Sequence, residues 1–407
     1  MDLIEIQSEQ FFLGMSLRFT LRDSDGKILL IKGHTIEFSA QLDGIKNRKP
    51  IFVEIDQTDE GVRAMMSSIS ELNLAGAPIK DFSKYLGIKR SVHRDAKTSE
   101  TLMQLWGDLE SKLSGLLGSV NTASDLQNRV YELDQTMVQL LAQDTTAAQF
   151  LLFNRAVTHC ESYSARHSLL CAILASSLAD FFGLPEWERR SLTCATLTMN
   201  VAMTHLQDVL AMQKMSPNVL QRHDIDVHPA RGHQLLVQAG VHDQHWLSIV
   251  AQHHTHQESP AEFKLWPILP LLCKILQTVD RYTAAMSPRR SRPARTARDA
   301  LRSVVIQAGA NHNEVGTALV PLLGLSPPGT FVKLINGETA VVLQRGVKPA
   351  EPIVACVLNR QDDPIAEPRV HRTSHEPFKV QSTLTATSVR MHLNQETMLR
   401  LMPHGMI

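Results

Sequence analysis

Over residues 1–75, apolar and polar side chains alternate with a period of two, the spacing of half-buried strands. In the run Ser16–Asp23, Leu17, Phe19 and Leu21 fall on one face, and Arg18 and Arg22 on the other. The turn residues Asp23–Gly26 lead into Lys27–Gly33, and Ile51–Asp56 follows the basic turn Lys46–Pro50. This predicts a small β-rich module folded as an antiparallel meander.

The period changes to three and four from Ala96 onward. Leu102, Leu105, Leu109, Leu113, Leu116 and Leu117 form one stripe, with Ser99 placed to begin the helix. Val130, Leu133, Met137, Leu140 and Leu141 form another within Asp125–Gln143. A stripe this wide faces a core or a second copy of the chain. Residues 96–149 are therefore expected to be a helical connector, and 98–143 a possible homodimer seam.

Residues 150–326 continue as helix. Leu170, Leu174, Leu178 and Phe181 share a stripe that stops at Gly183. Pro185 then suits the first turn of one long helix to Gln207, burying Leu192, Ala195, Met199, Met203 and Leu206. Strand spacing returns at 327–395. Phe331, Lys333 and Ile335 alternate with Val332 and Leu334, Asn336-Gly337 is a hairpin turn, and Thr339–Gln344 is the return strand. Ile353–Asn359 supplies a third strand, and the last dozen residues read as a short helix or tail. The fold class is mainly α, flanked by a small N-terminal β-rich module and a small C-terminal β segment.

Composition narrows the class further. Of 407 residues, 43% are hydrophobic and 20% charged, as in ordinary globular proteins, and the formal net charge is zero. No global field points to nucleic acid or to an anionic membrane, so neither is an expected partner. The 5 cysteines are odd in number and lack C-x-x-C pairs, which argues against a disulfide framework or cysteine zinc site. The acidic start MDLIEIQSEQFF is unlike a signal peptide, and the apolar stretch Leu169–Phe182 is interrupted by Ser176, Ser177 and Asp180. The expected location is cytoplasmic.

The candidate chemistry lies in 18 histidines, most of them between His159 and His256. His253-His254 ends an apolar run; His167 and His228-Pro229 lie upstream, and Asp280 downstream. Neutral imidazoles and carboxylates suit zinc, iron or manganese. In order and local context these residues resemble the HD-GYP family, a helical subgroup of the HD phosphohydrolases that acts in cyclic di-GMP signalling. The resemblance implies an HD-type helical domain over 150–326. It makes His167 the first histidine, His228 the His-Pro histidine, His253 and His254 the paired histidines, and Asp280, before Tyr282, the last ligand. Ser287–Ala294 resembles the family's arginine segment, which would make Arg289 and Arg292 the phosphate-facing pair, on one face if the segment is helical. Gly324–Gly346 and Leu13–Gly33 resemble flanking segments found in such chains. Arg18 and Arg22 resemble the R-x-x-x-R of PilZ receptors, without the accompanying Asp/Asn-x-Ser-x-x-Gly.

The departures decide the expected function. Met199 and Asn200 stand at the family's catalytic His-Asp positions, and Met203 where many members have lysine. Thr255–Pro260 lacks the Glu and the Gly-Tyr-Pro. Two divalent ions bring four positive charges, and a shared carboxylate is what lets them sit side by side. Asn200 offers a carbonyl without charge and Met199 only a soft thioether. Two-metal hydrolysis should fail, while a single divalent ion (Zn, Fe or Mn), or none, remains compatible. The expectation is a catalytically degenerate HD-GYP-like regulator that binds a nucleotide second messenger, such as a cyclic dinucleotide, or a signalling-protein partner. The alternatives are a metal-dependent cyclic di-GMP phosphodiesterase with an atypical site, and a helical interaction scaffold. Singly, His167 reads as a core histidine and Asp280-Arg281 as a helix-face ion pair. Arg290, Arg295, Arg298 and Arg302 read as a solvated face. His159, His205, His223, His233, His242 and His245 read as surface or packing residues.

Overall fold

The structure, a computed structural model, describes residues 2–6, 17, 20–23, 27–30, 36, 45, 51–55, 96–122, 125–255, 266–306, 314–389 and 391–402. It divides into two compact units, Met1–Ser91 and Val92–Ile407. In the first, strands β1 (Asp2–Ile6), β2 (Thr20–Arg22), β3 (Ile28–Leu30) and β4 (Ile51–Ile55) form an antiparallel sheet in the order β1-β4-β2-β3. Leu17 and Leu21 are buried, as the alternation predicts, while Arg18 and Phe19 lie outside the described residues. The meander is corrected in one respect. β4 pairs with β2 (Leu21↔Val53) and with β1 (Ile4↔Val53), not with β3. A short turn makes β2–β3 a hairpin, whereas the long stretch before β4 lets that strand cross to the hairpin's other edge.

The second unit is mainly helical. Helix α1 (Ala96–Gly118) starts earlier than Ser99, and α2 (Leu126–Gln143) follows it. Leu102, Leu109, Leu113, Leu116, Val130, Met137 and Leu140 are buried, but Leu105 is exposed. Their stripes pack on α4 (Tyr163–Phe181), α5 (Glu186–Thr198) and α12 (Gln395–Leu401) of the same unit. The apolar faces expected to form a homodimer seam are therefore consumed within the chain. Between them, α3 (Thr145–Thr158) and α4 form the centre of the core, with Phe150, Phe153, Leu170, Leu174 and Leu178 fully buried. Phe181 leaves that stripe and is exposed. Gly183, at φ +67°, closes α4.

The long helix predicted after Pro185 is broken. α5 ends at Thr198, Val201–Met203 forms a 3-10 turn, and α6 runs from Thr204 to Met212. Pro185 is the N-cap residue, and Met203 and Leu206 are half-buried rather than buried. The apolar spacing continues through the break, so tertiary packing overrides it. Helix α7 (Val219–Gln238) crosses there at Gly232, where an added Cβ would lie 3.3 Å from Val250 and 3.9 Å from the Met199 carbonyl oxygen. α8 (Gln244–Gln252), α9 (Ile268–Met286), α10 (Ala297–Val305) and α11 (Glu314–Leu323) complete the helical body.

Strands β5 (Phe331–Leu334), β6 (Thr339–Gln344), β7 (Ile353–Leu358), β8 (Pro364–Arg372) and β9 (Val380–Leu384) form a sheet in the order β8-β7-β6-β5-β9. β5 and β6 are the predicted hairpin, turning at Gly337 with φ +88°; β8 and β9 were not individually evident in the spacing. Gly329, at φ +84°, seats the sheet on α3: an added Cβ would lie 2.5 Å from the Phe150 carbonyl oxygen. The Asn154 amide donates to the Gly329 carbonyl at 3.1 Å.

Candidate metal centre

The His-Pro pair in α7 has a direct structural consequence. Proline lacks an N–H, so Pro229 cannot bond the carbonyl of Ile225 one turn back. His228 Nδ1 takes up that carbonyl instead. At the end of α8, Val250 is among the last residues, whose carbonyls have no intrahelical partner. His253 Nδ1 faces the Val250 carbonyl at 2.7 Å. Each ring therefore carries its hydrogen on Nδ1, and its Nε2 presents a lone pair. These two Nε2 atoms are 3.1 Å apart, and both residues are buried.

Two lone pairs at that distance repel unless something electropositive lies between them. A shared proton is disfavoured: burial, then the neighbouring His254 and His228, push His253 down to about 3. Burial also lowers His228. A cation fits. Nitrogen ligands at ~2.0–2.1 Å from one ion, at cis or tetrahedral angles, are about 2.9–3.4 Å apart. The exposed His254 completes the group, its ring centroid 4.1 Å from that of His253 and 5.1 Å from that of His228. One ligand nitrogen from each of the three lies within 4.8 Å of the others.

A second group adjoins it. His167 on α4 and Asp280 on α9 meet at 2.8 Å, Nε2 to Oδ1. Burial would raise the Asp280 carboxyl, but the His167 hydrogen bond and charge outweigh it and bring it down to about 2, with His254 and His253 contributing. Cys171, one turn beyond His167, puts its sulfur 3.7 Å from the same Nε2 and 3.7 Å from the Val279 carbonyl oxygen. Burial first, then Asp280, raises the Cys171 thiol well above its usual value, so it is a neutral donor here. His167-x-x-x-Cys171 is the spacing that places two residues on one helix face.

The arginine segment reaches this second group by a different route from the one expected. Residues 289–292 are a tight turn, with the Arg292 N–H donating to the Arg289 carbonyl at 3.0 Å, and α10 begins only at Ala297. The two guanidinium groups do not share a helix face. Arg289 donates to the Tyr163 hydroxyl at 3.0 Å, and Tyr163 stacks on His167 with centroids 5.3 Å apart. Arg292 is exposed and donates to the Ala284 carbonyl at 2.6 Å.

Met199 is wholly buried in the hydrophobic core, and Asn200 is buried at the break after α5. The carbonyl of Asn200 accepts from the Met203 N–H at 2.9 Å. The break lies against α7 at Gly232, one turn beyond His228. Gln257–Pro260, and His256 before them, lie outside the described residues.

No family model matches the chain, and no curated protein matches it. Among solved structures, the fold is similar to that of Bd1817, an HDG"Y"P protein from Bdellovibrio bacteriovorus. The identity is 13%, the TM-score 0.41, and the match covers 78% of this chain and 97% of that one. No helix is long and apolar enough to cross a membrane, among the described residues.

Proposed function

We propose that the helical unit is a catalytically degenerate HD-GYP-like regulator that holds one divalent ion through His228, His253 and His254. The facing Nε2 atoms of His228 and His253 carry this reading. Three neutral imidazoles suit zinc, and iron or manganese at lower affinity. Such an ion would supply charge to draw an anionic ligand into the pocket. Asp280, the one carboxylate among the five candidate ligands, is already bonded to His167. No second carboxylate stands beside it at Asn200 to hold two ions together. Arg289, bonded to Tyr163, adds a guanidinium charge beside His167, and a phosphodiester such as cyclic di-GMP, or an acidic partner protein, suits such a charge.

Two assays on the full chain test this. Purified protein supplied with zinc or manganese is expected to hold about one ion per chain and to leave cyclic di-GMP unhydrolysed. Turnover that vanishes in His253→Ala would establish the phosphodiesterase alternative instead. Failure to hold any ion would leave the scaffold reading.

A further inference from the structure

A cavity of about 1010 Å³ lies away from the histidine group, where α1, α3 and the start of α4 meet the segment that follows β9. Its polar wall is built on Glu110, Arg155 and Arg166. Arg166 Nη2 lies 3.0 Å from Glu110 Oε1, and Arg155 Nη1 lies 3.6 Å from Glu110 Oε2. The same guanidinium groups also donate to backbone, Arg166 to the Glu161 carbonyl and Arg155 to the Met103 carbonyl. These side chains keep only 12–16% of their exposure, so two cations share one anion in a poorly solvated place. Arg166 Nε is buried without a partner. Burial lowers the Arg155 pKa, and the Arg166 charge adds to this against the pull of Glu110. Glu161 lines the rim too, but its carboxylate is in solvent and screened. The rest of the wall includes Met103, Val157, Phe331 and Val389, an apolar lining for an organic body.

Gly107 also shapes the cavity wall. It sits in the middle of α1, where glycine is destabilising relative to alanine, and it lines this cavity. No atom lies within 4 Å of where its Cβ would be. That space opens into the cavity, so a bound molecule can lie against the helix backbone there.

We propose that this cavity is a binding site for a small organic monoanion, a carboxylate or a phosphodiester, whose charge Arg155 and Arg166 receive and whose body lies along Gly107. A single negative charge balances the one cation left over by Glu110, while a dianion would overshoot it.

The test is calorimetric titration of the full chain with benzoate, diphenyl phosphate and the neutral isostere benzamide, after metal and chelator have both been removed by dialysis so that the histidine group stays out of the readout. One of the two anions is expected to bind, and benzamide at least tenfold more weakly. Gly107→Leu fills the open space beside the helix, so it is expected to abolish binding while leaving thermal unfolding unchanged or raised. Arg166→Gln is expected to weaken binding at least tenfold. Absence of heat with both anions, equal affinity for benzamide, or undiminished binding in Gly107→Leu would each overturn the proposal.

Discussion

Two buried polar groups in the helical unit resemble each other in composition of cost but differ in completeness. Arg189 donates to both oxygens of Asp134, at 2.9 and 2.7 Å, and to both oxygens of Glu186, at 2.9 and 2.7 Å. Thr193 adds a further donor to Asp134 at 2.5 Å. Burial alone would lower the Arg189 pKa, yet these bonds raise it. Every nitrogen of the Arg189 guanidinium and both Asp134 oxygens are bonded, and the second carboxylate, Glu186, is largely in solvent. The histidine group has the opposite property, with two acceptors aimed at each other and no donor between them. A completed network holds the fold together, while an incomplete one, equally buried, is a place prepared for something else.

The difference can be broken most forcefully at Asp134. Asp134→Ala leaves the buried Arg189 with only the solvent-exposed Glu186 as a partner and is expected to cost about 3 kcal/mol in urea unfolding, with ion content unchanged. The next effect comes from the ion. Metal at about 100 times its Kd should stabilise the wild-type chain by about 2.7 kcal/mol, and should do nothing for His253→Ala. Asp134→Ala should keep that increment, because its network and the ion's are separate. Under chelation, His253→Ala itself should cost only about 1 kcal/mol, mainly through the unpaired Val250 carbonyl. A loss as large as that of Asp134→Ala would make the histidines structural and end the contrast. The smallest expected effect is a gain. Gly107→Ala should stabilise the chain by about 0.5–1 kcal/mol, since no neighbour opposes the added methyl group.

How far these features could be read from the sequence follows from what spacing encodes. The stripes at Leu109, Val130 and Leu174, and the Asn336-Gly337 hairpin, record local geometry and reappear in the structure. Periodicity shows which side of a helix is apolar but not what covers it. For that reason α1 and α2 suggested a dimer seam, although α4, α5 and α12 cover them. The break after Thr198 was invisible for a related reason: Met199 and Val201 keep the apolar pattern, and the turn is imposed by α7 crossing at Gly232.

The candidate site was legible as a set of residues and not as a mechanism of placement. His228-Pro229 and His253-His254 stood out, but only the structure shows an orphaned carbonyl setting each tautomer. Cys171 and Tyr163 were missed because neither their partners nor their burial is local in sequence; Val279 and Arg289 reach them from more than a hundred residues away. Arg289 and Arg292 were paired on an assumed helix, and the turn at 289–292 separates their guanidinium groups onto different acceptors.

The central claim is that the facing imidazoles hold one ion and no bridged pair. Metal stoichiometry by plasma mass spectrometry, on chain loaded with zinc or manganese and then dialysed, tests it most directly. The account predicts about one ion per chain in the wild type and in Asp134→Ala, and none in His253→Ala. Two ions per chain, or a full complement retained by His253→Ala, would contradict it.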